Sequence, residues 1–159
     1  MHAHAALLNR LFTALAEHDH EAMAACYHPS ARFRDIAFDL CGRDHIHAMW
    51  RMICAGDLEV VNFEVADADD AKGRARIVEE YSFHRRKAEA RVRNSIVSRF
   101  RFEDGLIRRQ DDECDPKEWA RQALGDGPAG FLAGRLRPLR SFVARRKLAQ
   151  FARAPAKAG

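Results

Sequence analysis

Two stretches late in the chain alternate between apolar and polar residues, and together they predict a β-hairpin. The first runs over Arg91–Phe102 and the second over Leu106–Asp115, with Glu103-Asp104-Gly105 between them. An Asp-Gly pair between alternating segments is a strong local hairpin signal. Period-2 alternation predicts one buried and one solvated face, and the predicted buried face of the first strand holds Val92, Asn94, Ile96, Ser98, Phe100 and Phe102.

The predicted buried face of this hairpin is not purely apolar. Asn94 and Ser98 interrupt it on the first strand. On the second strand, the residues that alternate on one face after Leu106 and Arg108 are Gln110, Asp112 and Cys114. Polar groups on the inward face of a curved sheet indicate a lined pocket rather than a plain core.

The first third of the chain has helical periodicity. It predicts a helix over residues 5–18, a second short helix from Asp19 through Tyr27, and a third at about Ile46–Cys54. Asp19 and Asp44 are the expected caps of the second and third helices.

Turn and strand signals separate these helices. His28-Pro29-Ser30 is predicted to form a turn. The segment Ala31–Leu40 is predicted to be short and extended, with Phe33, Asp35 and Ala37 on one face.

Two more strands are predicted before the hairpin, over Leu58–Ala66 and Arg74–His84. The second of these places Glu79 and Tyr81 on its apolar face, and a charged turn at 85–87 follows it. After the hairpin, Pro116 begins a helix that runs through Leu124. Helices followed by four long strands and further helices indicate an α+β fold with a curved antiparallel sheet wrapped on the N-terminal helices.

Length and charge divide the chain into a body and a tail. The 159 residues are enough for one domain with a core, which we assign to residues 1–127. Residues 131–159 hold eight Lys/Arg and no Asp/Glu, whereas residues 1–130 hold 19 Lys/Arg against 23 Asp/Glu. The body is therefore mildly acidic, and residues 128–159 form a basic amphipathic helical tail that Pro138 divides into two pieces.

Several segments of the body resemble the nuclear transport factor 2-like superfamily, the cone-shaped α+β barrel of steroid isomerases, SnoaL-like polyketide cyclases and scytalone dehydratase. The matching segments are LFTALAEHDHEAM, CYHPSARFRD, GRDHIHAMWRM, RFRFEDGLIRRQDDECD and WARQALG, within about residues 5–127. The resemblance implies a curved sheet around one deep apolar pocket, and a homodimer that commonly forms through the outer sheet face. It also implies that no cofactor is needed.

The resemblance places two candidate catalytic carboxylates. The isomerase base corresponds to Asp35, and the acid/base of the SnoaL-like cyclases corresponds to Asp112. A carboxylate in an apolar pocket has a raised pKa, which suits it to move protons between carbon atoms at neutral pH. Candidate ligand-binding residues are Phe12, Tyr27, Trp50, Glu79, Tyr81, Asn94, Ser98, Gln110 and Cys114.

Other motifs of the family are missing. The isomerase oxyanion hole would fall on Leu11 or Phe12 and on Ser98, none of which is a tyrosine or an aspartate. The inward residues Asn94, Ile96 and Ser98 also lack the Arg-x-Asp pair of related epoxide hydrolases. Neither activity can be transferred to this chain as it stands.

Each candidate also has a plain structural explanation. Asp35 is a turn or cap residue in that view, and Asp112 pairs with Arg108 or Arg109. Glu79 is either a pocket carboxylate or a salt-bridged residue of a dimer, and the structural explanation is favoured. Burial of this carboxylate requires a partner or a raised pKa. The aromatic candidates are core residues, and Asn94 satisfies a core backbone group.

Metal, nucleic-acid and membrane sites are not favoured. The pairs His18/His20 and His45/His47 point apart on a helix, and no third ligand has suitable spacing, so we expect no metal. The four cysteines are scattered and are expected to be buried thiols. The tail lacks an aromatic platform for nucleic acid, and covering the body is favoured over docking to an anionic membrane. With no leader or transmembrane segment in the sequence, a cytoplasmic location is expected.

Two functions remain open from the sequence. One is a cofactor-independent enzyme in which Asp35 and Asp112 transfer protons on a hydrophobic ring-type substrate, in isomerase, cyclase, dehydratase or hydratase chemistry. The other is a non-catalytic module that binds an apolar ligand and docks through its tail to a membrane or a partner.

Overall fold

The computed structural model describes residues 1–84 and 89–154, which form six helices and six strands. The helices are α1 (Ala3–Ala16), α2 (His20–Ala24), α3 (Arg43–Cys54), α4 (Pro116–Leu124), α5 (Pro128–Arg135) and α6 (Arg137–Arg153). The strands are β1 (Tyr27–Arg34), β2 (Asp39–Cys41), β3 (Glu59–Ala68), β4 (Lys72–His84), β5 (Glu89–Glu103) and β6 (Leu106–Glu113). The predicted α+β class is confirmed, and the predicted charged turn at 85–87 lies outside the described residues.

The strands form one curved sheet in the order β2-β1-β6-β5-β4-β3. Neighbouring strands are antiparallel except β1 and β6, which run parallel. The sheet is therefore antiparallel as predicted except at this one parallel pair. A hairpin forces its two strands to be antiparallel, but β1 and β6 are separated by most of the chain and are free of that constraint.

The hairpin of β5 and β6 is confirmed. Its turn is formed by Asp104 and Gly105, which have φ angles of 53° and 74° and join the paired residues Glu103 and Leu106. Two consecutive positive φ angles define the type I′ turn, whose twist matches that of a hairpin. The predicted inward face of β5 is buried from Val92 to Phe100, apart from the half-buried Ile96.

A bulge in β6 changes the face of its first residues. Arg101 pairs with Arg109 but Phe102 pairs with Ile107, so Arg108 has no partner in the β5 ladder. Ile107 is consequently the fully buried residue, and the prediction that Leu106 and Arg108 share the inward face with Gln110 is wrong. One extra residue in a strand reverses the side-chain alternation on either side of it.

The N-terminal helices follow their periodicity, with differences at their ends. Asp19 caps α2, because its Oδ1 accepts the Ala22 backbone N–H at 2.9 Å. The helix ends before Tyr27, which belongs to β1. Asp44 lies in the first turn of α3 instead of capping it, since Gly42 occupies the N-cap.

The predicted turn at residues 28–30 is instead a distortion within β1. Tyr27 pairs with Ile107 and Arg32 pairs with Arg109, so four residues of β1 lie opposite one residue of β6. Pro29 lies within this distortion. Proline has no backbone N–H to donate to the strand ladder, so it does indicate an interruption of regular pairing here.

The two C-terminal helices pack on the body. Gly130 of α5 lies against α4, where a Cβ would be 1.9 Å from the Gly125 carbonyl oxygen. On α6, Ala144 and Leu148 pack against the main core, while Leu139 and Val143 pack against a second cluster around Trp119. Pro138 lies in the first turn of α6, where the missing N–H costs nothing. None of the helices within residues 1–84 and 89–154 combines the length and apolar character that a membrane crossing requires.

Candidate active site

A cavity of about 440 Å³ lies between the inner face of the sheet and α6. Strands β4, β5 and β6 form its floor, the C-terminal end of α3 one wall, and α6 its roof. Most of the lining is apolar, with residues such as Phe33, Phe38, Ile53, Leu58, Phe83 and Val143. This size and composition are typical of small-molecule sites.

Three buried carboxylates line the cavity, and a fourth, Asp57, is exposed and pairs with Arg91. Asp35 comes from the turn after β1, Glu79 from β4 and Asp112 from β6. Burial raises the pKa of Asp112 to about 7, against hydrogen bonding from Ser98 and Gln110, which lowers it. Burial, with the charges of Asp112 and Asp35, raises the pKa of Glu79 to about 8. The apolar environment therefore keeps both groups close to their titration point at neutral pH.

Asp35 holds the turn that follows β1. Its Oδ1 accepts the backbone N–H groups of Ala37 at 2.7 Å and Phe38 at 2.6 Å. Burial raises the pKa of Asp35, and these two backbone hydrogen bonds oppose the rise. Because the chain turns here, Ala37 is not on the same strand as Phe33, and the prediction of one extended segment is wrong, although all three residues line the cavity.

A buried chain of hydrogen bonds leads to Asp112. Trp50 Nε1–H donates to the Tyr27 hydroxyl at 3.1 Å, and that hydroxyl donates to Gln110 Oε1 at 2.5 Å. Gln110 Nε2–H in turn donates to the two Asp112 carboxylate oxygens at 2.9 and 3.1 Å. Because each member is held by the next, the orientation of the Asp112 carboxylate is fixed by the core.

Ser98 lies beside the same carboxylate, as its partner in the β5–β6 register. Its hydroxyl lowers the pKa of Asp112. The Ser98 Oγ is fully buried and has no well-aligned hydrogen-bond partner among the residues that the structure describes.

Tyr81 contributes a hydroxyl to the cavity from β4. Its oxygen accepts the Trp119 Nε1–H at 2.7 Å, and no acceptor for its own proton is found within residues 1–84 and 89–154. Burial, followed by the charge of Glu79, raises the pKa of Tyr81 well above its ordinary value. Tyr81 is thus a neutral hydrogen-bond donor toward the cavity.

The structure brings most of the candidate residues to this one cavity. Besides the three carboxylates, they are Trp50, Tyr81, Asn94 and Cys114. Burial raises the pKa of the Cys114 thiol to about 12, which keeps it protonated. The predicted ligand contacts Phe12, Tyr27, Ser98 and Gln110 lie behind the cavity wall, each at most 3% exposed, because they fill the layer between the sheet and α1 to α3.

The structural explanations given above for the three carboxylates agree with the structure in some cases and not in others. Asp35 is a turn residue, as its structural explanation states, and it also lines the cavity. Neither Asp112 nor Glu79 has an arginine, lysine or histidine nitrogen within 4.0 Å in the described part of the chain. The alternative explanation, in which Asp112 pairs with Arg108 or Arg109, is therefore wrong, because Arg109 pairs with Asp111 on the other face of β6.

Four residues of the site were not identified from the sequence. Trp119 of α4 supports Tyr81, and Arg137, Arg140 and Lys147 of α6 meet the turn or the cavity. For the three cations the only signal was the basic amphipathic pattern of the tail, which does not specify the residues that face inward. Trp119 lies in the quoted segment WARQALG, which assigns it no role.

Two surface clusters of metal-ligating side chains lie outside the cavity. His20 Nδ1 is 2.9 Å from His47 Nε2, and the Glu21 carboxylate is 3.9 and 3.7 Å from these nitrogens. A second group consists of His28, Glu103 and Asp104. The expectation that no third ligand has suitable spacing is wrong, because α2 and α3 pair one histidine from each sequence motif.

The free cysteines of the described chain are Cys26, Cys41, Cys54 and Cys114. Cys26 and Cys54 are buried as expected, whereas Cys41 is exposed at the end of β2. The prediction of scattered thiols without a bridge agrees with this arrangement, and the prediction of burial is wrong for Cys41.

The sequence matches the SnoaL-like domain family over residues 8–110, which include most of α1, all of α2 and α3, and most of the sheet. The chain belongs to the SnoaL-like family. This family is part of the nuclear transport factor 2-like superfamily, as the quoted segments indicated. Helices α4 to α6 lie beyond the matched residues.

Solved structures with the same cone fold are similar to this SnoaL-like protein. A candidate polyketide cyclase from Pseudomonas putida has 16% identity and a TM-score of 0.67, over 77% of this chain and 98% of its own. An LEH-like epoxide hydrolase from M. tuberculosis has 16% identity and a TM-score of 0.59, over 77% and 90%. TsrD from Streptomyces laurentii has 21% identity and a TM-score of 0.61, over 77% and 96%. None of the curated protein sequences compared with the chain matches it.

Proposed function

We propose that this SnoaL-like protein is a cofactor-independent acid/base enzyme that moves a proton on a hydrophobic, ring-type substrate. The observation that carries the proposal is the pair Asp112 and Glu79, in one mostly apolar cavity, with pKa values near 7 and 8. General acid/base catalysis is most effective when the pKa of the catalytic group lies near the operating pH. Two acids with separated pKa values divide naturally into a base and an acid.

In this mechanism Asp112 is the general base. It removes a proton from a carbon next to a carbonyl group, and the electron pair of the broken C–H bond moves into the carbonyl to form an enolate. Gln110 holds the carboxylate in place through two hydrogen bonds, so little reorganisation is needed during the transfer.

The enolate oxygen needs hydrogen-bond donors, and Glu79 and Tyr81 supply them. Glu79 is largely protonated at pH 7, and the free O–H of Tyr81 is available because its oxygen accepts from Trp119. Donors fixed in a water-poor site stabilise developing charge strongly. These groups replace the oxyanion-hole residues that the sequence lacks at the isomerase positions.

The enolate then has three outcomes that all conserve atoms. Return of the proton from Asp112 to a different carbon gives isomerisation. Attack of the enolate carbon on a second carbonyl closes a ring, and the proton on Asp112 neutralises the new alkoxide. Transfer of that proton to a β-hydroxyl, which leaves as water while the enolate re-forms the carbonyl and a C=C bond, gives dehydration. The fold similarity to a candidate polyketide cyclase and an epoxide hydrolase supports small-molecule chemistry of this kind without selecting one reaction.

The first step can be tested without knowing the product. The protein is incubated in D₂O with a panel of cyclic ketones, enones and β-diketones, and deuterium incorporation is followed by mass spectrometry. We expect enolisation of at least one compound, and a loss of at least about tenfold in Asp112→Asn. Asp111→Asn is the matched control, since Asp111 lies on the same strand and pairs with Arg109 outside the cavity.

Two results would contradict the proposal. One is full exchange activity in Asp112→Asn. The other is the absence of exchange with every compound that binds the cavity, which would favour a non-catalytic module that holds an apolar ligand.

A further inference from the structure

Helix α6 places two cations over the cavity. Arg140, Val143, Ala144, Lys147, Gln150 and Phe151 recur at helical spacing and line the roof. Arg140 and Lys147 are seven residues apart and therefore lie on the same face of the helix. No segment of the SnoaL-like match contributes these residues, because that match ends at residue 110.

Arg140 is a buried cation whose donors are only partly used. Its side chain is 7% exposed, and Nε–H and one Nη1–H donate to the carbonyl oxygens of Ile36 at 2.8 Å and Ala133 at 2.9 Å. A guanidinium has five N–H donors, so others remain. Among the described residues, Ser98 Oγ is the fully buried side-chain atom that lacks a hydrogen-bond partner, and no nitrogen of Arg140 is in that state. Arg140 lines the cavity, so its remaining N–H groups are open to the cavity.

Lys147 lies further along the roof. Its ammonium group is 3.5 Å from the centroid of the Phe83 ring, and burial lowers the pKa of Lys147 with no opposing carboxylate. In the described residues no carboxylate oxygen lies within 4.0 Å of Lys147 or Arg140. Asp35 acts on Arg140 only at longer range.

A buried cation without an anionic partner is costly. Arg137, which is on the same helix, shows the ordinary solution, since both of its hydrogen bonds go to backbone carbonyls of the Asp35 turn. Arg140 does this with only part of its guanidinium, and the ammonium of Lys147 contacts an aromatic ring. The positive charges of Arg140 and Lys147 are therefore available to an anionic group that enters the cavity.

We propose that the cavity takes a ligand with an apolar body and one anionic group, which Arg140 and Lys147 bind from the roof. The anionic group is a carboxylate or a sulfonate-like acid, and the apolar body lies against the sheet. This inference rests on the proposed function in that it uses the same cavity, and it narrows the substrate class to cyclic acids. The acid group at the roof and the reacting carbon near Asp112 would then define the orientation of the substrate.

Two fluorescent probes test the charge requirement directly. 8-Anilinonaphthalene-1-sulfonate and N-phenyl-1-naphthylamine share one aromatic body, and only the first carries an anion. We expect the folded protein to bind the sulfonate more tightly than the neutral compound. In Lys147→Met the affinity for the sulfonate should fall about tenfold, which corresponds to about 1.4 kcal/mol, since a charged hydrogen bond is lost.

The neutral probe and a matched variant separate charge from packing. Methionine keeps the apolar stem over Phe83, so binding of N-phenyl-1-naphthylamine should be unchanged. Arg146→Met removes a charge from the exposed side of the same helix and should affect neither probe. Arg140→Met is less informative, because Arg140 also holds the Ile36 and Ala133 carbonyls and its loss threatens folding.

Each outcome of this experiment decides the proposal. Equal weakening of both probes in Lys147→Met, no weakening of either, or no preference of the native protein for the sulfonate would overturn it. Asp112→Asn should keep the probe preference while losing deuterium exchange. If Asp112→Asn loses deuterium exchange but still prefers the sulfonate probe, the anion site is independent of the catalytic carboxylate. If no compound shows exchange, the proposed catalytic function fails, but the probe measurement still tests the anion site.

Discussion

Gln110 is the residue through which the core controls the candidate base. Its amide oxygen accepts from Tyr27 and its amide nitrogen donates to Asp112, so one side chain joins a structural tyrosine to a reactive carboxylate. At 1% exposure it is among the most buried polar side chains of the protein. Such a residue is costly to replace, because both of its partners would lose a hydrogen bond in a dry environment.

Replacing Gln110 by leucine should therefore have two measurable effects. Unfolding should require about 1–3 kcal/mol less free energy, since buried polar groups are left unpaired. The pKa of Asp112 should rise, because the hydrogen bonds from Gln110 lower it in the native protein. Denaturant titration measures the first effect, and ¹³C NMR titration of the carboxyl group measures the second.

Tyr27→Phe is the matched comparison for Gln110→Leu. It removes the hydroxyl that bonds to Gln110 but leaves the Gln110–Asp112 hydrogen bonds in place. Stability should fall while the pKa of Asp112 changes little. An equal pKa change in the two variants would mean that Gln110 does not act on Asp112 directly.

At the scale of elements, α6 and the turn after β1 form one unit. Arg137 donates to the carbonyl oxygens of Asp35 at 2.5 Å and Phe38 at 3.0 Å, and Arg140 donates to that of Ile36. The turn itself is closed by the Asp35 side chain. A helix outside the matched family segment thus helps to hold a candidate residue inside it.

Arg137→Gln should loosen this turn. Because two charge-assisted hydrogen bonds are lost, the backbone amides of Ala37 and Phe38 should exchange with deuterium on the order of tenfold faster. Hydrogen-exchange mass spectrometry of the peptide that contains the turn measures the change. Arg145→Gln, at an exposed position of the same helix, should leave the exchange unaltered, and identical rates in both variants would show that α6 does not hold the turn.

Strand elements were more predictable from sequence than helix faces. Period-2 alternation is sufficient to place Glu79 and Asn94 inward, and the structure pairs them across β4 and β5. Helix α6 shows the opposite case, since Phe142 is 62% exposed whereas Arg140 is 7% exposed. Apolar residues occur all around this helix, so its buried side depends on tertiary contacts that no local pattern encodes.

The bulge in β6 and the Tyr81–Trp119 hydrogen bond were unpredictable for a related reason. The hydrogen bond depends on how two segments distant in sequence meet. The bulge depends on the register of the β5–β6 ladder, where one skipped position at Arg108 is enough to change a face. The family resemblance identified Asp35 and Asp112 as candidates. Only the packing shows that Glu79, a candidate ligand contact for which the sequence favoured a structural salt bridge, shares their cavity.

At the scale of the whole molecule, the two sheet faces have opposite characters. The inner face encloses the cavity, and the outer face carries ion pairs such as Arg93–Glu80, Arg99–Glu113 and Arg109–Asp111. A homodimer through this outer face, and a membrane contact through the tail, stay predictions. The boundary between body and tail at residue 127 also stays a prediction.

The buried acids make global stability depend on pH in an unusual direction. Glu79 has a pKa of about 8 when folded and an ordinary value near 4.5, so the folded chain holds more protons than the unfolded chain between these values. The stabilisation is complete below about pH 4.5 and is lost as the pH rises through 8. Asp112 acts in the same direction, with a folded value of about 7.

Glu79→Gln should remove about half of this dependence, because Asp112 contributes a shift of similar size. The free energy of unfolding of the native protein should fall between pH 5 and pH 9, and at pH 9 the variant should be the more stable by roughly 2–4 kcal/mol. Glu80→Gln changes the neighbouring residue on the outer face, where Glu80 pairs with Arg93, and should keep the native slope. Denaturant unfolding across this pH range measures both, and a flat native profile would contradict the assignment of a protonated Glu79.

The attachment of α6 to the Asp35 turn has a thermodynamic consequence beyond catalysis. Leu136 and Phe142 are exposed at the outer side of α6 and its N-terminal end, and the inner side of α6 lines the cavity. Binding at two coupled sites is reciprocal. If a molecule binds the outer side of α6 more tightly when the cavity holds its ligand, then that molecule raises the affinity of the cavity for its ligand by the same factor. A helix that binds a molecule on each side would couple the two binding equilibria, and measuring either one in the presence of the other would give the coupling energy.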